Sequence, residues 1–133
     1  MGNSRIVTFS WPSSLLSPNA RTHWAAKAKI AKAYRRECYF LTLASPLTPW
    51  EFEGGIALQL VFHPPMNRQY DDDNLVARFK AGRDGMAEAM GVNDFRFQLQ
   101  PPRIGKIIQG GRVVAILAPI LVVIPIMKYI GED

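Results

Sequence analysis

The sequence predicts an α+β chain with two main helices and the element order β-α-β-α-β-β, on three observations. Runs rich in β-branched and aromatic residues, bounded by proline and glycine, recur at 6–11, 55–63 and 112–117. Apolar residues at steps of three and four run from about 21 to 43, and a second apolar set at steps of four, seven and four runs from 75 to 90. The chain has 133 residues and a single cysteine, Cys38, so one domain spanning 1–133 must be held by apolar burial without an internal disulfide.

Taken in order, Ile6 to Trp11 reads as the first strand and stops at Pro12. Ser13 to Asn19 is a loop, and Asn19 is placed to cap the helix after it. From Arg21 to about Leu43, Trp24, Ala28, Ala31, Tyr34, Cys38 and Leu41 form the stripe of an amphipathic helix, with Trp24 and Tyr34 expected in the core. Ser45 to Pro49 ends it. Gly55 to His63 is the next strand, broken at Pro64-Pro65. The second helix presents Leu75, Phe79, Met86 and Met90 on one side and ends at Gly91, a C′ glycine. Val92 to Phe97 starts a strand, and residues 103–108 and 112–117 read as a hairpin around Gln109-Gly110-Gly111. Val113 to Met127 is uncharged and mostly apolar, but Pro119 and Pro125 interrupt it and it falls short of a bilayer span. It reads as a buried strand continued by an apolar C-terminal arm from about 119, not a membrane anchor.

Charge divides the chain. The net charge is +5, but residues 1–50 hold seven cations against Glu37 alone, whereas residues 51–100 hold five cations against eight acids. Cations that hold phosphates beside carboxylates that hold a metal are what a metal-dependent enzyme on nucleic acid requires; a solvated lysine-rich helix face is the plain alternative. Lys29, Lys32 and Arg36 share one strip of the first helix as a cationic rail. His23, at the start of that helix, can contact phosphate or serve structure alone. One cysteine makes no zinc motif, and the first thirty residues lack a signal peptide's order of basic, apolar and small-residue regions, so a cytosolic protein is expected.

The densest chemistry is Tyr70-Asp71-Asp72-Asp73-Asn74-Leu75, three consecutive carboxylates at the mouth of the second helix. Their mutual repulsion points to a cation site; the alternative is a solvated turn in which Asp73 caps the helix. Asp94 adds a fourth carboxylate from a separate element. Lys80 lies seven residues after Asp73, two turns almost in register and about 10 Å along the axis. Its side chain leans back toward the helix start and can reach what the carboxylates hold, whereas Arg78 and Arg83 face elsewhere.

Asp71-x-Asp73-Asn74-Leu75, with Asp94 some twenty residues on, resembles the RusA family of Holliday-junction resolvases of phages and prophages. The resemblance covers most of the chain and takes in Ser17-Pro18-Asn19-x-Arg21-x-His23-Trp24 before the basic helix, and Gly110-Gly111-Arg112. It implies a small mixed β-sheet with two helices, a homodimer, and Asp71, Asp73 and Asp94 as carboxylates for Mg²⁺, with Mn²⁺ as substitute. Asn74 would orient or cap the helix start, and Asn19, Arg21 and His23 would join Lys29, Lys32 and Arg36 on the DNA. Where the family often carries lysine, four residues after the second aspartate, this chain has Ala77, so Lys80 is the expected replacement.

The activity implied is magnesium-dependent phosphodiester hydrolysis at four-way junctions, leaving a 5′-phosphate, in the recombination and repair of a bacterial cytoplasm. Three other readings fit parts of the pattern. A junction-binding dimer without catalysis would not need the lysine absent at Ala77. A nucleotide-sugar transferase also uses Asp-x-Asp, but this chain is short for it. A structural protein would use the triplet only as a helix cap.

Overall fold

The computed structural model describes residues 3–121. It has the expected α+β class: a five-stranded mixed sheet and three helices in the order β1 (Arg5–Ser10), α1 (Trp24–Leu43), β2 (Ile56–His63), α2 (Asp72–Arg78), α3 (Lys80–Met90), β3 (Phe97–Leu99), β4 (Arg103–Ile104) and β5 (Arg112–Pro119), with single 3₁₀ turns at Ser14–Leu16 and Asp94–Arg96. The sheet order is β1-β5-β2-β3, and β4 follows β3 along the same edge of β2. β5 runs antiparallel to both β1 and β2, while β3 and β4 are parallel to β2. Parallel neighbours need a crossover, and α2–α3 supplies it.

Alternation builds the core. Val7 and Phe9 of β1, Ile56, Leu58, Leu60 and Phe62 of β2, and Val113, Ala115 and Leu117 of β5 are buried, with the intervening residues at least partly exposed. Against that face lie Leu75, Phe79, Met86 and Met90, the side expected of the second helix, with Tyr34 and Cys38 of α1. The Phe79 ring meets those of Phe9 at 5.5 Å and Tyr34 at 6.1 Å, so sheet, first helix and second helix converge on one side chain.

Several expectations are corrected. The second helix is not continuous: Phe79, with ψ near zero, shares its N–H between Leu75 O and Val76 O, which separates α2 from α3. Residues 103–117 form no hairpin, because β4 is only two residues long and pairs with β2; the Gly110-Gly111 turn, where both residues have positive φ, delivers the chain into β5. Val92 to Phe97 is mostly a 3₁₀ turn capped by the Asn93 side chain, and β3 begins only at Phe97. Asn19 does not cap α1, since His23 Nδ1 accepts the Ala25 N–H there. In α1 the buried stripe is Tyr34, Cys38 and Thr42, steps of four that leave Leu41 outside it. Trp24 is 76 % exposed rather than core, because the residues beside it on both helices are alanines too small to cover it. The expected arm lies outside the described residues beyond 121; up to there, β5 runs to Pro119 and the Ile120 N–H reaches Gly55 O. Among the described residues no helix is long and apolar enough to cross a membrane.

α1 and α3 touch backbone to backbone at Gly85, where an added Cβ would meet the carbonyl oxygen of Arg35. Gly85→Ala should therefore destabilise the fold by about 1–3 kcal/mol despite alanine's better helix propensity, because overpacking a helix contact outweighs it. Urea unfolding measures this, and an unchanged midpoint would mean the helices separate there at no cost.

Candidate nucleic-acid and phosphate site

Two clefts flank the α2–α3 segment and share Arg78 in their walls. The first, about 450 Å³, brings together three residues expected at the site, Asn19, Asp71 and Asn74, beside Arg68 and Tyr70. The N-cap of α2 is Asp71, not Asp73: Asp71 Oδ1 accepts the Asn74 N–H at 3.1 Å, while Asp72 and Asp73 lie exposed in the first turn. The Asn74 side chain donates to Ser17 Oγ at 2.8 Å, which ties the loop before α1 to the helix mouth. Asn74 thus orients two segments. Arg68 lies over the Tyr70 ring at 5.4 Å on the rim.

The second cleft, about 410 Å³, lies between α1 and α2–α3 and is walled by Ala28, Ala31, Ala77 and Ala81, with Trp24, Lys27, Lys80 and Asp84 around it. Lys80 Nζ lies 2.6 Å from Asp84 Oδ1 and 3.8 Å from Asp94 Oδ2. Two expected site residues from separate elements therefore meet, and Lys80 lines the same cleft as Ala77. Lys80 does not stand two turns along one helix from Asp73, because that helix breaks at Phe79.

Asp71 and Asp94 belong to different groupings. Among the described residues no three His, Cys, Asp or Glu side chains are arranged to hold an ion together. The donors suit a hard dication in type, being carboxylate oxygens, but not as a preassembled three-aspartate cage. Such an ion commonly takes only one or two protein carboxylates, with water and substrate phosphate filling its shell.

The cationic rail is exposed along its length at Lys29, Lys32 and Arg36, and Arg21 is exposed before the helix begins. Lys32 and Arg36 line a recess of about 340 Å³ with Tyr39 and Phe40, and the Arg36 guanidinium lies 5.7 Å from the Phe40 ring. Other cations of the basic half are already engaged: Lys27 Nζ donates to Ser17 O at 3.0 Å and Arg35 pairs with Glu88 at 3.5 Å. His23 caps α1 and its ring lies 5.7 Å from that of Trp24.

Arg78 went unrecognised in the sequence. It is 6 % exposed, donates to Pro12 O at 2.6 Å, lies 5.4 Å from the Trp11 ring and lines both clefts. Burial pushes its pKa down, with Arg68 adding to the effect. The signal was present: Leu75, Arg78, Phe79 and Gly82 follow the steps of a buried face, so a charge at the second of them had to be enclosed.

No family model matches the sequence. An uncharacterized protein of Xylella fastidiosa (strain Temecula1 / ATCC 700964) is 39% identical over 115 residues, covering 81% of this chain and 72% of that protein. At that identity and coverage, this chain belongs to the same family as the Xylella protein.

Proposed function

We propose that the chain is a structure-selective endodeoxyribonuclease that cuts four-way DNA junctions in recombination and repair, as its resemblance to the RusA family implies. The observation that carries this reading is that Lys80, which lines the same cleft as Ala77, also reaches Asp94 at 3.8 Å. A lysine reaches the neighbourhood where the family's own lysine is replaced by alanine, and it does so next to an expected acidic residue. Asp71 and Asp73 are the residues that would hold Mg²⁺, or Mn²⁺ in its place, while Asp94, expected as a third metal carboxylate, lies with Asp84 against Lys80 at 3.8 and 2.6 Å. When bound, the ion would supply an activated water and neutralise charge on the scissile phosphate. Lys29, Lys32 and Arg36, with Arg21 and Asn19 beyond the helix start, would run along the phosphate backbone. Lys80 would stabilise negative charge building on the phosphate or the leaving oxygen. A two-fold dimer would bring two such sites to symmetry-related strands of one junction. The setting is the bacterial cytoplasm.

A second reading, a junction-binding dimer that does not cut, is favoured by one observation: the described carboxylates form no three-donor group. Incubation with a synthetic four-way junction, with and without magnesium or manganese, decides between them. Cutting only with metal supports the nuclease; tight binding with no product under any condition supports the second reading.

Three variants sharpen the test. Asp73→Asn should abolish cleavage with junction affinity equal or higher, because one negative charge near phosphate is removed; loss of binding together with cutting would make the aspartate structural. Replacing Lys29, Lys32 and Arg36 with glutamine should weaken binding and flatten its dependence on salt, and an unchanged slope of log affinity against log salt would mark the rail as a solvated face. Lys80→Ala should slow cleavage by ~100-fold, the scale of removing one preorganised charge-stabilising donor, while junction binding persists. Cutting at the parental rate would put the stabilising charge elsewhere.

A further inference from the structure

The first turn of α1 exposes a large apolar group that the core leaves uncovered. Trp24 is 76 % exposed at the edge of the 410 Å³ cleft, although an indole is among the largest apolar groups a core can use. The cleft below it is mostly apolar, its walls made by Ala28 and Ala31 of α1 and Ala77 and Ala81 across from them. At its polar edge stand Lys80 and Asp84, a donor and an acceptor held 2.6 Å apart. The indole also has an aromatic neighbour: His23, anchored by its bond to the Ala25 N–H, lies 5.7 Å from it with the rings tilted by 31°. An exposed aromatic side chain beside an apolar space with few polar groups suits a planar heteroaromatic ring. The charges nearby select which kind. Lys27, Arg78 and Lys80 line the cleft against one acid, Asp84, so a ring arriving on an anionic backbone is favoured over a neutral or cationic one.

We infer that Trp24 and the alanine-walled cleft beneath it take up an unpaired base of a DNA strand. This rests on the DNA-binding reading above and gives it a substrate feature: the protein would read a branched substrate through an unstacked base as well as through backbone geometry. A fully paired duplex keeps its bases stacked and offers nothing to this platform, whereas a strand crossing point or a single strand does. The indole supplies stacking, and Asp84 offers a hydrogen-bond acceptor to the base edge.

The test uses the full chain and three DNA probes: short oligo-dT, an intact linear duplex, and a four-way junction carrying 2-aminopurine at the branch point. Oligo-dT should quench the indole emission of the parental protein, and the junction's 2-aminopurine emission should change on binding. Trp24→Ala should weaken binding to oligo-dT and junction by about 10-fold or more, the scale of losing one base–aromatic stack, with duplex affinity and melting temperature unchanged. Trp24→Phe should retain most of the affinity. Equal junction and oligo affinities for Trp24→Ala and the parental protein would overturn the inference while leaving the DNA-binding reading intact. So would an equal loss on all three probes, or a shift in oligomeric state without a change in oligo-dT binding, which would assign the indole to a subunit contact. A parental protein that binds none of the three would remove the DNA-binding reading and this inference with it.

Discussion

The guanidinium of Arg78 is the group on which the rest of the site depends. A charged group this deeply buried is expensive unless its hydrogens and charge are matched. The matching is partial: one N–H donates to the Pro12 carbonyl at 2.6 Å and the charge lies over the face of Trp11 at 5.4 Å, both just past the end of β1, while Nε finds no partner among the described residues. One side chain of α2 therefore fixes where the chain leaves the first strand. Trp11 in turn packs edge-on to Phe62 at 6.1 Å and to Tyr70 at 5.8 Å, so the end of β2 and the residue before the acidic triplet are held by the same group. From there the loop continues to Ser17, where Asn74 takes it up at the helix mouth. Removing the guanidinium would loosen both clefts at once, because it stands in the wall of each.

How much of this could be read from sequence depends on the range of the interactions involved. β1, β2, β5 and the buried side of the second helix were legible because each is specified by its own periodicity, and Gly91 ended the helix because a left-handed residue favours glycine. The hairpin was misread because alternation says that 103–108 can be a strand without saying which strand it pairs with. Here the β2 edge had room beyond β3, and β4 took it in parallel register. The acidic triplet was rightly placed at a helix mouth, but the cap is Asp71, two residues earlier than Asp73, a boundary that local composition fixes only loosely. Asn19, Asp71 and Asn74 did converge, as did Lys80 and Asp94. What no local pattern carried was that a break at Phe79 would divide these residues between two clefts.

That division also sorts the charges. Lys80 is shared between Asp84 and Asp94, so two of the eight acids of the central segment have a cation beside them within α3 and the turn after it. Asp72 and Asp73, by contrast, are exposed in the first turn of α2, where the N-terminal backbone amides favour negative charge. The basic half is sorted likewise: Lys27 and Arg35 serve internal contacts, leaving Lys29, Lys32 and Arg36 toward solvent. One outer strip of α1 thus presents exposed cations and the first turn of α2 presents exposed carboxylates.

The cleft under Trp24 results from how α1 and α3 pack. At Gly85 the helices are pressed together until the Arg35 carbonyl fills the place of a side chain, and at Gly82 the rings of Tyr34 and Phe79 close over the helix. Such contact draws the axes near at that end. Toward the start of α1 the facing residues are Ala28, Ala31, Ala77 and Ala81, which have enough bulk to keep the backbones apart but not enough to fill the gap between them. Larger residues there would extend the core to the end of α1 and cover Trp24. Glycines would let the helices close and squeeze the space out. Alanine at these positions, with glycine further along, leaves a space of about 410 Å³ open at one end, and the indole stands at its edge because nothing in the fold is large enough to enclose it.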